Sequence, residues 1–166
     1  MYACKPDVKS TEGSVKYFEL KKFIKADSAR LTRAQVIVTK TVQHNNSVSE
    51  TKQLRIVNWG RELEPFSASD LNKPAWRQSY TIQQAADSII YTAKYSELIT
   101  HRMVIYKQDK TVKKIIISNY TKNLLYQTTE QLVYFPDSLY LIDKLQQVKF
   151  LGSNRYQIKG TIGTLK

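Results

Sequence analysis

Apolar positions near the start of the chain recur every three or four residues, which is typical of an amphipathic helix. Ser14 is a suitable N-cap, so the pattern predicts a helix from about Val15 to Arg33. The acidic residues Glu19 and Asp27 interrupt its basic face, which favours a helix that covers a core over one that lies on a membrane. The apolar face consists of Tyr17, Leu20, Ile24 and Leu31, with Phe18 and Phe23 beside them.

The spacing then changes from a helical to a strand pattern. β-Branched residues dominate positions 35–57, and the turn sequence HNNS divides them, which predicts a β-hairpin. A second, shorter helix is predicted after Asn58, with one apolar stripe formed by Trp59, Leu63 and Phe66. Pro65 is expected to end or bend it. This stripe is a candidate plug, or a movable lid, for the sheet that comes after it in the chain; nothing nearby supplies the glycine-rich hinges that a lid often uses.

From position 79 onward, short apolar and alternating segments are separated by turn residues, after an irregular stretch at 67–78. The connections are too short to hold crossover helices, so the sheet is expected to be antiparallel and largely sequential. The predicted strands are 79–84, 88–96, 99–107, 111–120, 123–135, 139–150 and 155–163.

These elements predict an α+β fold. We expect a single strongly curved, mostly meander antiparallel β-sheet, a half-barrel, with the two N-terminal helices packed on its concave face. A closed β-barrel is the alternative. Residues 1–13 are expected to form a flexible N-terminal tether and residues 14–166 a single domain.

Charge raises the question of an acidic partner. The 166 residues include 26 Lys and Arg against 14 Asp and Glu, a net charge of +12. The basic residues are scattered, with no run of five or more, which is typical of a solvated surface. The eleven tyrosines offer an alternative, because aromatics interleaved with basic residues can hold single-stranded nucleic acid. Most of them suit half-buried strand positions, so no nucleic acid is expected as a partner.

Catalytic patterns are not evident. The two histidines, His44 and His101, lack ligand partners at metal-binding spacing, and no phosphate-binding loop or nucleophile elbow occurs. Glu130 and Asp143 lie on neighbouring predicted strands, either as a carboxylate pair in a groove or, as we expect, on an exposed polar face. The sequence therefore predicts neither an enzyme nor a cofactor or metal site.

The irregular segment DLNKPAWRQSY, residues 70–80, concentrates residue types that are enriched at binding hot spots. It predicts a candidate binding patch, or alternatively a simple anchor where the chain passes from helix to sheet. The patch consists of Lys73, Trp76, Arg77 and Tyr80.

The single cysteine, Cys4, follows Ala3, and this pair matches the junction of a bacterial lipobox. After cleavage a diacylglycerol on the Cys4 thiol would hold the protein at a membrane, and the polar stretch KPDVKSTEG would separate the anchor from the domain. Only MYA precedes Cys4, so we expect a signal peptide that is absent from this chain.

The chain resembles small, uncharacterised lipoproteins of Gram-negative bacterial envelopes. The resemblance lies in ACKPD at the start, YFELKKFI, VTKTV, and DLNKPAWRQSY after NWGRELEPF. The β-strands after these motifs are similar in architecture to the curved sheets of lipoprotein carriers and receptors. The resemblance to these lipoproteins implies a lipid-anchored protein of the bacterial envelope, at the outer membrane, with no assigned catalytic residues.

Two functions remain open at this point. One is a protein-interaction or assembly module whose partner is another envelope protein. The other is a carrier whose concave sheet binds an apolar ligand, such as the acyl chains of a lipid or lipoprotein. The polar stretch YQTTEQ weighs against a long dry tunnel through the sheet, because both of its faces are hydrophilic.

Overall fold

The computed structural model describes residues 15–163. Three helices and nine strands follow one another along the chain, with the first two strands between the first and second helices. The helices are α1 (Leu20–Ala34), α2 (Trp59–Glu62) and α3 (Glu64–Ala68), and a 3₁₀ turn covers Pro74–Trp76. The strands are β1 (Ile37–His44), β2 (Glu50–Arg55), β3 (Tyr80–Gln84), β4 (Ser88–Ala93), β5 (Thr100–Gln108), β6 (Thr111–Lys122), β7 (Tyr126–Phe135), β8 (Leu139–Val148) and β9 (Gly152–Ile162).

All nine strands form one antiparallel sheet in the order β2-β1-β9-β8-β7-β6-β5-β4-β3. The α+β class and the single antiparallel sheet are thereby confirmed, and β3 to β9 form the predicted meander. The closed-barrel alternative is wrong, because β2 and β3 lie at opposite edges and do not pair. The first hairpin joins the sheet through β1, which pairs with β9, so that the first and the last strand of the described chain are neighbours.

One face of the sheet carries the helices. Because β2 and β3 are at opposite edges, the segment between them, 56–79, must cross the sheet, and α2 and α3 lie in that crossing. The rings of Tyr134 and Tyr140, cross-strand partners on β7 and β8, meet this layer. A single hydrophobic cluster lies between the layers, and it includes Leu20, Ile24, Leu31, Trp59, Leu63, Phe66, Met103, Ile105, Ile115, Ile117, Leu132, Tyr134 and Tyr140.

The first helix begins later than predicted, at Leu20 instead of Val15. Its predicted N-cap, Ser14, lies outside the described residues, as does the tether. The amide of Tyr17 donates to Asn72 Oδ1 at 3.0 Å, and Asn72 Nδ2 donates to the carbonyl of Phe18 at 3.0 Å. These bonds engage the backbone groups of residues 17 and 18 with a distant side chain, which keeps the segment out of the helix.

The second predicted helix is two short helices. The first ends at Glu62 and the second begins at Glu64, with Pro65 in its first turn. Proline has no amide hydrogen to donate and is favoured in a first turn, so the prediction that Pro65 interrupts the helix is confirmed. Among residues 15–163, no helix has the length and apolar character that would let it cross a membrane.

Candidate binding groove and its surroundings

An open groove lies on the helix-bearing face of the sheet, next to α2. It has a volume of about 800 Å³. Its floor is formed by side chains of β8 and β9, and one wall is formed by the end of β2 and the chain that connects it to α2. Ile142 and Ile158 are cross-strand partners on the floor, and Tyr156 lies beside them on β9. The wall includes Leu54, Arg55, Ile56, Val57 and Asn58.

The groove combines this apolar floor with a charged rim. Its charged lining residues are Lys40, Arg55, Arg61, Lys144, Glu62, Glu64 and Glu130. Lys40 and Glu62 neutralise one another through an ion pair of 2.7 Å. Glu130 accepts a hydrogen bond of 2.9 Å from Asn119 Nδ2. Within residues 15–163, Arg55, Arg61 and Lys144 make no ion pair, and neither do Glu64 and Glu130, so the rim offers both positive and negative charges to a bound molecule.

The three residues of the candidate plug are all buried between the helices and the sheet. Trp59 is 1% exposed, and Leu63 and Phe66 are completely buried. Trp59 meets the ring of Tyr140 edge-on at a centroid distance of 6.2 Å, and Phe66 packs against Tyr134 at 5.5 Å. The structure thus brings these residues together as one apolar contact with β7 and β8.

Two carboxylates fasten the helices to the same pair of tyrosines. Glu62 accepts a hydrogen bond of 2.5 Å from the hydroxyl of Tyr140. Asp27 on α1 accepts a hydrogen bond from the hydroxyl of Tyr134 and an ion-pair contact from Arg30 at 2.5 Å. Burial, together with the neighbouring carboxylate, raises the pKa of each phenol above its ordinary value. Both tyrosines therefore remain neutral donors across the physiological pH range.

The candidate patch at residues 70–80 is divided between exposed and buried positions. Lys73 Nζ lies over the ring of Trp76 at 4.0 Å from its centroid, and both side chains are half-buried. Arg77 is exposed, whereas Tyr80 is 2% exposed and contacts both Trp76 and Tyr17. Lys73, Trp76 and Arg77 thus lie together at the surface, and Tyr80 supports them from below.

The same segment also anchors the N-terminal part of the fold. The hydroxyl of Tyr17 lies within hydrogen-bond distance of the carbonyls of Trp76 and Arg77, at 3.1 and 2.8 Å. Asp70 accepts a hydrogen bond of 2.7 Å from the amide of Lys21 in the first turn of α1, and so caps a helix 49 residues away in the chain. Reasoning from the sequence missed Asp70 and Asn72. Their only local signal is the Asx turn in which the amide of Asn72 donates to Asp70 at 2.7 Å.

The carboxylates Glu130 and Asp143 do not form a pair. Glu130 pairs in register with Lys144, so Asp143 points to the opposite face of the sheet. There it accepts hydrogen bonds of 2.9 and 2.6 Å from Arg155, and this partner lowers the pKa of Asp143. Across the described chain, no group of three or more His, Cys, Asp or Glu residues is placed to hold a metal ion.

Comparisons with protein-family models, with curated proteins and with solved structures find no match. Any inference about function therefore depends on the geometry of the groove and its surroundings.

Proposed function

We propose that this is a non-catalytic, lipid-anchored protein of the bacterial cell envelope that binds a segment of another envelope protein in the groove. The observation that carries the proposal is the open groove of about 800 Å³ beside a fastened helix layer. An apolar floor with a rim of both charges suits a peptide segment, because it offers contacts for apolar and for charged side chains.

The fastening of α2 supports a partner in the groove over a ligand beneath the helices. Trp59, Leu63 and Phe66 fill the space against the sheet, and Glu62 is bonded to both Tyr140 and Lys40. Displacing this layer would expose apolar surface and leave a carboxylate without its buried partners. In this proposal the sheet curves around the helices as a half-barrel, so that the groove continues its concave face.

The groove proposal is tested by placing a photo-crosslinking amino acid at Tyr156, an exposed position on the floor of the groove, in cells that make the protein. We expect a discrete adduct with one envelope protein. The same crosslinker at Arg77 examines the second candidate surface, the patch around Trp76. Thr161 is the matched control, since it is exposed on the helix-free face. Adducts at Arg77 alone would move the interaction to the patch, and equal labelling at all three positions would contradict a specific partner.

A carrier of acyl chains is the second candidate function, and the aliphatic floor of the groove favours it. Ile56, Ile142 and Ile158 offer three branched side chains to an apolar ligand. Native mass spectrometry of the protein purified from membranes distinguishes the two functions. Lipid retained at one molecule per chain would replace the interaction module with the carrier.

Membrane anchoring through Cys4 is a separate part of the proposal. When the gene is expressed with its own upstream region, we expect the mature protein to begin at Cys4 and to fractionate with the outer membrane. Cys4→Ser removes the thiol that would carry the lipid, so the variant should appear in the soluble fraction or remain unprocessed. Membrane fractionation, with N-terminal sequencing, measures both outcomes. A Cys4→Ser variant that fractionates like the parent would contradict the anchor.

A further inference from the structure

Exposed apolar side chains are concentrated at one end of the sheet. Antiparallel order places the β1–β2, β4–β5, β6–β7 and β8–β9 connections at the same end. These connections and the first residue of β7 contain eight of the thirteen large apolar side chains that are exposed within residues 15–163. They are Val48, Tyr95, Ile99, Leu124, Leu125, Tyr126, Phe150 and Leu151.

The hairpin turns at the opposite end have a different character. The β3–β4, β5–β6 and β7–β8 turns contain Asp87, Asp109 and Asp137, and none of them exposes a large apolar side chain. Single exposed apolar residues are normal on a protein surface, and Ile37 and Val57 are exposed in this way at this end. The eight at the other end are grouped, which is unusual. We therefore call the two ends the apolar end and the polar end.

Two hairpins form the centre of the apolar end, and we call residues 122–126 and 148–152 the loop tips. Leu124, Leu125, Phe150 and Leu151 are between 70% and 99% exposed. Both hairpins are longer than the strands beside them. β5 begins opposite Asn119, and β6 continues for three residues beyond that point. β1 ends opposite Tyr156, and β9 begins four residues before that point. The loop tips therefore extend roughly 10 Å past these flanking strands.

Hydrogen bonds within the fold hold the loop tips in place. Asn123 Oδ1 accepts hydrogen bonds of 2.8 and 2.9 Å from the amides of Leu125 and Tyr126, which fixes the first turn. The amide of Lys149 donates to the carbonyl of Leu125 at 2.9 Å, which joins the two tips. Phe150 has a φ of 67°, a left-handed conformation that glycine or asparagine adopts at lower cost. Phe150 is 99% exposed, so packing within the fold does not offset the cost of this backbone conformation.

The charge of the loop tips is entirely positive. Lys122 and Lys149 are exposed, and residues 120–128 and 146–154 contain no acidic side chain. A cavity of about 480 Å³ lies between the two hairpins, and both lysines line it together with Leu124 and Leu125. Ammonium groups beside protruding apolar side chains match the anionic headgroups and the acyl region of a lipid bilayer.

We propose that the loop tips insert into the surface of an anionic lipid bilayer, with Lys122 and Lys149 holding phosphate headgroups between the hairpins. The depth to which apolar side chains enter such an interface, about 5 to 10 Å, agrees with the length by which the loop tips protrude. A bilayer fits them better than a folded protein surface, because two projecting tips offer little continuous flat area. The contact requires neither the lipid at Cys4 nor the groove.

The test uses the full chain in a Cys4→Ser background, which carries no lipid and leaves room for one new cysteine as a probe site. An environment-sensitive fluorophore is attached at Leu124→Cys or at Phe150→Cys, and the protein is mixed with phosphatidylcholine vesicles with or without phosphatidylglycerol. The matched control is Ala86→Cys, an exposed position in the β3–β4 turn at the polar end of the sheet. We expect a blue shift at positions 124 and 150 with the anionic vesicles and none at position 86.

The lysines are tested by sedimentation of the Cys4→Ser protein with the same vesicles. Lys122→Gln and Lys149→Gln should each weaken vesicle binding about fivefold, as expected for loss of one charge near an anionic surface. Lys110→Gln, an exposed position in a turn at the polar end, should bind like the parent. Three results would overturn the inference and leave the loop tips to a protein partner. They are no vesicle binding by the parent, an equal shift at position 86, or binding by the Lys122→Gln and Lys149→Gln variants that is as strong as that of Lys110→Gln. None of these results bears on the groove.

Discussion

Gly160 shows how a single residue determines the position of a buried side chain. It is the cross-strand partner of Tyr140 on β8, and the ring of Tyr140 lies directly over it. A Cβ atom at Gly160 would overlap two carbon atoms of that ring, far inside a van der Waals contact. Because Gly160 has no side chain, the ring of Tyr140 can lie over β9 and reach Glu62 and Trp59.

Gly160→Ala is expected to lower the free energy of unfolding by about 1 to 3 kcal/mol, as is typical of overpacking in a core. The added methyl group must displace the ring of Tyr140, and the hydrogen bond to Glu62 is lost with it. Urea denaturation measures the change. Thr161→Ala, at the exposed neighbouring position, is the control and should change stability by less than about 0.5 kcal/mol. Equal effects of the two substitutions would contradict this role for Gly160.

At the scale of elements, the layer formed by α2 and α3 is held on the sheet by apolar contacts and by hydrogen bonds to the same strands. The stripe Trp59, Leu63 and Phe66 meets the sheet, and Glu62 in the same layer is bonded to Tyr140 and Lys40. α2 has four residues and α3 has five, too few to be stable as isolated helices. Their conformation depends on this docking, which is why a permanent plug is favoured over a movable lid.

Trp59→Ala should lower the free energy of unfolding by about 3 to 5 kcal/mol if the layer is permanent, because the substitution leaves a large cavity against Tyr140. Trp76→Ala is the matched control at a half-buried position and should cost clearly less. Chemical denaturation of both variants checks the difference. A loss no larger than that of the control, with binding of an apolar fluorescent probe that fatty acids displace, would instead indicate a movable lid.

At the scale of the whole molecule, α1 and the meander are joined by a cluster at the polar end of the sheet. Asp27 accepts from Tyr134 and pairs with Arg30, and Arg30 also reaches Asp137 in the β7–β8 turn at 2.5 Å. A buried carboxylate needs such partners, since an unpaired charge in the interior is strongly destabilising. The cluster therefore sets the register of α1 on the sheet.

Buried phenols, with Tyr134 and Tyr140 the most deeply buried, predict a loss of stability at alkaline pH. Burial raises the pKa of Tyr134 and of Tyr140 in the folded protein, so the neutral phenol is favoured there. The resulting stabilisation is fully present below the unfolded pKa of about 10 and is lost as the pH rises above it. We expect the free energy of unfolding, measured by urea titration, to fall steadily as the pH rises from about 9.5.

Tyr134→Phe should flatten this alkaline decline, although it lowers stability at neutral pH by about 1 to 3 kcal/mol because Asp27 loses a buried donor. Tyr95→Phe is the control, since Tyr95 is exposed and its loss should leave the decline unchanged. An alkaline decline that is the same in the Tyr134→Phe variant as in the parent would show that it arises from other groups.

The strands and the apolar stripe of α2 and α3 could be predicted because their signals are local. Alternation in Tyr156-Ile158-Gly160-Ile162 reflects the two faces of β9, and turn residues mark the ends of most strands within a few positions. The i, i+4, i+7 spacing of Trp59, Leu63 and Phe66 likewise predicted which side chains are buried, because helical periodicity acts over one or two turns.

Only the tertiary structure decided which distant segments meet. The start of α1 depends on Asn72, 55 residues from Tyr17. The first hairpin joins the sheet because β1 pairs with β9, and the sheet is open because its edge strands β2 and β3 do not pair. The groove combines side chains from five strands and two helices, and the loop tips become one apolar end only when the strands are set side by side. The sequence by itself determined the elements and their buried faces, because propensity and periodicity are properties of neighbouring residues. The order of the sheet edges, the groove and the apolar end were decided by contacts between residues far apart in the chain, whose energies no local pattern records.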